Sequence, residues 1–399
     1  MNILLISSIY PLNSKENKGT SVCHYFAKEW AGLGHNIRVV HFQAVYPLCF
    51  YWIAQIASKF ISAKTGAVVY TKRDRGDVFL MDGVNIIRMP LFKFIPHGRF
   101  KSSSVSRAIN KIIELNKTID FIPDIIVGHF PNPQIEVVAR LKDIYPFSTT
   151  AIVMHGDVDI PKRIYGKRIP ELFDKIDRWG FRSRAVKNSF EKWYGYAKEA
   201  FICYSGVPED YISKKNVHSF EHGIRKFLFV GEFIQRKYPA QILDALIRVF
   251  PDKNFIMTYI GSGYEERTIK DKIKQYNIES CVNLLGRIPR ERIKDEYDKA
   301  DCMVMISSGE AYGLVYLEAM ARGCITIASK GEGIDGVIEN GENGYLCTAG
   351  NVDDLVQTIE RIIRLPSAEM LMISENAIRT ASHLTDKKAA TMYLNDLFK

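Results

Sequence analysis

Short apolar runs alternate with stretches of helical spacing along the whole chain. In the first half the strand-like runs are residues 3–7, 37–42, 86–89, 125–128 and 151–154, and segments 22–33 and 108–118 repeat apolar residues at helical intervals. The pattern restarts in the second half with a strand over 227–231, a helix over 240–250, and strands over 254–260 and 302–306. Strands of this kind, spaced by helices, predict parallel sheets covered on both faces. Two such series, separated by the polar, turn-rich segment 206–226, predict an α/β chain of two Rossmann-like domains with that segment as linker. The length of 399 residues is more than one core usually serves and points the same way.

Residues 44–62, AVYPLCFYWIAQIASKFIS, call for a membrane test. The stretch is short for a span and contains Pro47, Gln55 and Lys59, so a crossing helix is not expected. Core packing is the expectation, with a helix lying at a bilayer surface as the alternative. Phe92, Phe94 and Phe100, interleaved with Lys93, Arg99 and Lys101, keep that alternative open. Net charge is +9, but residues 1–206 carry +12 and the remainder −3. A single-signed excess in one half predicts an anionic partner there. No nucleic-acid-binding motif is recognisable, which disfavours nucleic acid against an acidic glycan, a lipid phosphate or a membrane surface. Arg163, Lys167, Arg168, Arg178, Arg182, Arg184 and Lys187 add positive charge and read as a solvated helical face. The seven cysteines have no metal-like spacing and predict buried thiols in a reducing cytosol. The opening MNILLISSIYPL has no basic n-region or small-residue cleavage site and reads as a first strand.

The most informative block is 307–346, SSGEAYGLVYLEAMARGCITIASKGEGIDGVIENGENGYL. Gly313 and Leu314 would open a helix whose apolar face is Leu314, Val315, Leu317 and Met320. A glycine-bearing loop leading into a helix start gathers free N–H groups beside the positive end of a dipole, which suits a phosphate. Glu310 falls in the loop and Glu318 within the helix. On one continuous helix they would stand about 12 Å apart. A retaining hydrolase needs its carboxylates about 5 Å apart, so separate roles are expected.

The ordered series Glu310, GLVYLEAMARG, an apolar strand at 324–328, Gly331, Gly333, Asp335 and the Gly341–Gly344 turn closely resembles the C-terminal donor-binding motif of retaining GT-B glycosyltransferases of the large family-four type. The resemblance extends more thinly over nearly the whole chain. It implies a GT-B architecture, two Rossmann-like domains facing across a cleft: 1–205 on the acceptor side, linker 206–226, a nucleotide-sugar domain 227–378, and a C-terminal helix 379–399 packing back on the N-terminal domain. Ser8–Pro11 with Gly19 resembles the first-strand loop that approaches the donor diphosphate, and glycine suits close approach. His155-Gly156-Asp157 resembles the family's histidine motif, whose ring touches the transferred sugar or backs the acceptor. His129, flanked by Pro131 and Pro133, reads instead as part of a rigid loop. Val230-Gly231-Glu232 followed by Lys237 resembles the glycine–Arg…Lys signature, and Lys237 would neutralise the leaving diphosphate. Glu232 stands where the family usually has Arg, so Arg236 or Arg225 is left to supply the second cation. Gly261-Ser262-Gly263 is a weak dinucleotide fingerprint, and with Gly286-Arg287 it matches a family segment near the nucleotide base. The resemblance gives Glu318 the ribose hydroxyls, Glu310 the donor-sugar hydroxyls, and the backbone at Tyr312, Gly313 and Leu314 the phosphates.

These readings converge on a metal-independent enzyme without a cofactor, acting at the cytoplasmic face of the membrane. It would transfer a hexose or N-acetylhexosamine from a nucleotide-sugar, UDP-sugar favoured, to a glycan or lipid-linked acceptor with retention. An anionic acceptor and peripheral membrane contact follow from the basic N-terminal half, and the setting would be cell-surface polysaccharide synthesis. The rivals are a nucleotide-sugar epimerase or phosphorylase on the same architecture, and a non-catalytic nucleotide-sugar-binding subunit, for which Glu232 is the main argument.

Overall fold

The computed structural model of the chain describes residues 1–11, 21–65 and 71–399, the side chains of 59–65 excepted. The chain forms two compact units. The first is Met1–Arg182, Val186–Tyr204 and Asp386–Lys399; the second is Ser183–Ala185 and Ser205–Thr385.

The first unit is built on β1 (Asn2–Ser7), β2 (Asn36–Val45), β3 (Asp77–Met81), β4 (Val84–Phe92), β5 (Ile125–His129), β6 (Thr149–Met154), β7 (Arg178–Phe181) and β8 (Ala200–Ile202). Their order is β3-β4-β2-β1-β5-β6-β7-β8. Each neighbouring pair is parallel except β3 with β4, an antiparallel hairpin at the edge. That hairpin was not foreseen, because the half-exposed β3 lacks the apolar run that marks a strand covered on both faces. In β1 and β5 the period of two sends alternate residues to opposite cores. Leu4, Ile6 and Ile126 join Val105, Ile109 and Ile135, while Ile3, Leu5 and Val127 join Phe26, Trp30 and Tyr393. The second of these cores is closed by helix Asp386–Phe398, where Trp30 Nε1 donates to the Ala390 carbonyl at 2.9 Å.

The second unit holds β9 (Lys226–Val230), β10 (Ile256–Ile260), β11 (Val282–Gly286), β12 (Cys302–Val304), β13 (Ile325–Ser329) and β14 (Tyr345–Cys347). All its pairings are parallel, in the order β11-β10-β9-β12-β13-β14. From β9 the chain steps outward one way to β11, then returns to β12 and steps the other way. The carboxyl ends of β9 and β12 therefore flank the switch point, where open α/β sheets leave a crevice for ligands. The segment expected as a linker, 206–226, lies within this unit: Tyr211, Phe220 and Ile224 are buried, and the Ser213 amide donates to the Ala321 carbonyl at 2.9 Å.

The apolar stretch 44–62 departs from its expectation. Helix Leu48–Thr65 turns Tyr51 and Ala54 inward but leaves Leu48, Trp52, Ile53 and Ile56 largely exposed. No helix is long and apolar enough to cross a membrane among the described residues. The cysteines are free thiols, six buried and Cys49 exposed. Arg182 also departs: it is buried, and its guanidinium donates to the Cys203 carbonyl at 2.7 Å.

Candidate functional site

At the carboxyl end of β9, Gly231 lets the Lys237 side chain lie against the main chain. A Cβ there would stand 3.1 Å from Lys237 Nζ and 3.6 Å from Met305 Sδ. Lys237 closes a single 3-10 turn, Gln235–Lys237, just before helix Pro239–Val249. Its ammonium reaches Glu310 Oε2 at 3.6 Å, and Arg236 Nη1 reaches the same oxygen at 3.5 Å. Arg236 is tied to the loop after β12: its guanidinium donates to the Ser308 and Gly309 carbonyls at 3.3 and 3.4 Å, and its carbonyl accepts from the Ser308 amide at 2.7 Å. Glu310 Oε2 is buried without a hydrogen-bond partner, an expensive state for a carboxylate oxygen. The Glu310 amide donates to Glu332 Oε2 at 2.8 Å. Sequence reasoning missed Glu332, although its position between Gly331 and Gly333 in the quoted loop was a usable signal.

The loop then enters helix Leu314–Ala321 through Gly313, which has φ +83° and gives no side-chain cap to the first turn. Only glycine fits here, since a Cβ would fall 2.4 Å from the Tyr316 ring. Tyr316 pins the loop from below, its hydroxyl donating to the Met305 carbonyl at 2.7 Å and lying 3.0 Å from Ser307 Oγ. Gly333 packs as tightly on the other side, where a Cβ would meet the Tyr312 amide nitrogen at 2.4 Å. The Tyr312 side chain is structural: it is buried and donates to the Ser205 carbonyl at 3.0 Å.

Glu318 has different neighbours from Glu310. It is buried, with Oε1 accepting from Arg290 Nη2 at 2.7 Å and Oε2 from the Tyr297 hydroxyl at 3.3 Å. Burial raises its pKa, and the Arg290 charge opposes that rise. The same cluster pushes the Tyr211 hydroxyl up to about 12, first by burial and then by the Glu318 charge. Arg290, Tyr297 and Tyr211 carry no motif and were not foreseen.

Gly261 and Gly263 hold the neighbouring loops in near contact. A Cβ on Gly261 would overlap the Gly231 carbonyl oxygen at 1.8 Å, and one on Gly263 would meet the Phe233 carbonyl oxygen at 2.3 Å. Arg287, at the end of β11, donates through Nε to Ser262 Oγ at 2.8 Å and places Nη2 3.5 Å from Glu232 Oε1. The carboxylate at the family's Arg position is thus paired with a guanidinium from the adjacent loop. Arg225 faces elsewhere, stacking over the Phe250 ring at 4.8 Å. Arg236 is therefore the second cation beside Lys237.

In the first unit, His155 follows β6 and lies stacked on Phe130 with ring centroids 4.0 Å apart. Its Nε2 is 2.9 Å from His129 Nδ1, and His129 Nε2 is 3.1 Å from the Tyr393 hydroxyl. His129, read from sequence as part of a rigid loop, is the buried middle member of this chain. Burial, aided by the Arg182 charge, lowers its pKa to about 3 and holds His155 well below the ordinary value. Both rings are neutral near pH 7. Cys23, His129 and His155 present ligand-type atoms within 4.8 Å of one another. Both His129 nitrogens are engaged in hydrogen bonds and a guanidinium lies close by, an arrangement suited to a neutral network more than to a cation. Ser8 Oγ donates to the Asn132 carbonyl at 3.1 Å; Gly19 lies outside the described residues.

Residues 210–380 match the family Glycosyl transferases group 1. The amylovoran biosynthesis glycosyltransferase AmsK of Erwinia amylovora is 24% identical over 289 residues, 69% of this chain and 70% of that protein. Three other curated relatives, at 27–28% identity, are matched over only 45–65% of their length. Among solved structures, the lipopolysaccharide outer core galactosyltransferase WaaB, apo form, superposes with TM-score 0.71 at 18% identity, covering 100% of this chain and 99% of that one. Anabaena HepE in complex with UDP gives TM-score 0.68 at 16% identity, with the same coverage. At these identities the likeness establishes the fold, which is GT-B.

Proposed function

We propose that the chain, whose residues 210–380 match the group 1 glycosyltransferase family within a GT-B fold, transfers a hexose or N-acetylhexosamine from a nucleotide-sugar to a glycan or lipid-linked acceptor, with retention and without a metal or cofactor. The observation that carries the reading is the meeting of Lys237 and Arg236 on Glu310 beside an uncapped helix start at the sheet's switch point. Two cations and a row of amides suit a departing diphosphate. Glu310 is placed to exchange its ionic partners for donor-sugar hydroxyls as the cations turn to phosphate. Glu318 takes the ribose, and the loops around Gly263 and Arg287 take the base. UDP is the favoured nucleotide, since HepE binds it.

In the reaction the acceptor oxygen bonds to the anomeric carbon on the face from which the nucleoside diphosphate leaves. The sugar–phosphate C–O bond breaks with its electron pair going to the phosphate oxygen, which takes the acceptor proton. No dedicated base is required, and the chain's contribution is positioning and charge. The neutral His155 ring suits a hydrogen-bond contact to a sugar hydroxyl. The basic N-terminal half suits an anionic acceptor or membrane surface at the cytoplasmic face, as in cell-surface polysaccharide synthesis. AmsK, named for biosynthesis of amylovoran, supports that setting.

The test is a product assay over UDP-, GDP- and ADP-sugars with and without an acceptor fraction. Acceptor-dependent release of nucleoside diphosphate is expected. Acceptor-independent sugar isomerisation, a requirement for inorganic phosphate, or no turnover despite nucleotide binding would each overturn the reading.

A further inference from the structure

The helix Leu48–Thr65 has an outward face that a soluble surface helix does not ordinarily carry. Leu48, Trp52 and Ile56 recur at intervals of four and, with Ile53, are 60–90% exposed. No charged residue occurs between Leu48 and Ser58. Isolated exposed apolar side chains are common, but a contiguous stripe containing a tryptophan marks a contact surface. The chemistry beside it names the partner. An open cavity of about 760 Å³ joins Leu48, Trp52 and Gln55 to Lys72, Arg73 and Arg75. A second, of about 370 Å³, shares Arg73 and adds Arg107 and Lys111. The one acid common to both, Asp74, is already paired with Arg88 at 3.1 Å.

We propose that this face is a docking surface for an anionic lipid bilayer. The helix lies in the interfacial plane with Trp52, Ile53 and Ile56 among the acyl-chain ends, while Lys72, Arg73 and Arg75 meet lipid phosphates. Apolar residues of this size insert, tryptophan favours the interface, and neighbouring cations select negative headgroups. Charge complementarity favours a bilayer as the occupant: the exposed Lys72, Arg73 and Arg75 flank the apolar side chains, with Gln55 as a polar position on the same face. The proposal specifies the anionic partner suggested above, but does not depend on the transfer chemistry.

The experiment is co-sedimentation of the full chain with vesicles of phosphatidylcholine alone or with phosphatidylglycerol, at low and high salt, alongside UDP titration. The wild-type chain is expected to bind the anionic vesicles in a salt-sensitive manner. Trp52→Ser with Ile56→Ser should weaken binding at least about tenfold. Arg73→Glu with Arg75→Glu should abolish the preference for phosphatidylglycerol. Melting temperature and UDP affinity should not change in either variant, because the substituted side chains are exposed. Undiminished vesicle binding by the serine variant, or no wild-type binding at low salt while UDP still binds, would overturn the proposal and leave the nucleotide site standing. A wild-type dimer that the serine variant dissociates, without vesicle binding, would overturn it in favour of a second copy of the chain.

Discussion

Gly231→Ala tests the ammonium's position without removing it. The added methyl would stand 3.1 Å from Lys237 Nζ, 3.5 Å from its Cδ and 3.6 Å from Met305 Sδ. Of these neighbours the lysine tip yields most easily, so the ammonium shifts by a few tenths of an ångström and the fold survives. The backbone there has φ +159°, which residues with a Cβ rarely adopt, so the variant also loses some stability and the thermal melt separates that loss from the effect on the ammonium. Misplacing a charge that stabilises the leaving group by a fraction of an ångström to 1 Å costs about ten- to a hundredfold in kcat, or ~1.4–2.7 kcal/mol of transition-state energy. Lys237→Ala, which removes the charge, should cost ~10²–10³. The decisive assay is a double-mutant cycle on kcat, with thermal melts as control. In the Lys237→Ala background the alanine at 231 should cost almost nothing, because the group it displaces is gone. Gly261→Ala is the contrast: its methyl would overlap a backbone carbonyl at 1.8 Å, so about 4 kcal/mol or more of stability should go. Wild-type turnover in a well-folded Gly231→Ala chain, or an equal loss with and without Lys237, would refute the reasoning.

Three further outcomes follow from the same geometry. Glu318→Ala should weaken UDP binding by about tenfold or more, and should cost about 1–3 kcal/mol by removing the acceptor of the buried Tyr297 hydroxyl and one acceptor of Arg290. Glu318→Gln should recover most of the stability and little of the affinity, and an unchanged dissociation constant by calorimetry would remove Glu318 from the nucleotide site. His129 is depressed to about 3 by burial, so the stability its neutral ring contributes is complete above ~6.5 and is lost as pH falls toward the folded value, at up to ~1.4 kcal/mol per pH unit. His129→Asn should flatten the acid side of the melting-temperature profile, and an unaltered slope would contradict this. Arg287→Ala exposes the Glu232 carboxylate without its partner. Stability should change by less than about 1 kcal/mol while UDP affinity drops, and adding Glu232→Ala should restore part of that affinity; no restoration would mean that Glu232 does not face the phosphates.

The strands that organise both sheets were legible because they are buried on both sides and read as unbroken apolar runs. The edge strands β3, β8, β11 and β14 were not, since edge pairing leaves little hydrophobic signature, nor was the interior β7, whose four residues RWGF are too short and too mixed a run to read as a strand. The apolar stretch at 44–62 showed the limit of composition: its helix has one face inward and one outward, and both are apolar, so periodicity could not tell core from surface. Glycines transmitted most of the site. Gly231, Gly263 and Gly313 each stand where a Cβ would meet a neighbour, a constraint readable as a motif. The partners that finish the site lie far along the chain and are ordinary residue types. Glu332 under Glu310, Arg290 and Tyr297 on Glu318, and Tyr393 behind His129 are set by tertiary packing, which a single sequence does not display. Glu232, a departure from the family's Arg, has Arg287 of the adjacent loop 3.5 Å away, a pairing that spacing along the chain does not display.

The central claim is that Lys237, Arg236 and the backbone amides entering helix Leu314–Ala321 hold a diphosphate. A crystal structure of the chain with UDP tests it most directly. The account predicts the β-phosphate within hydrogen-bonding distance of Lys237 Nζ and the first-turn amides, with Glu318 on the ribose. A well-ordered UDP bound away from these groups would contradict it.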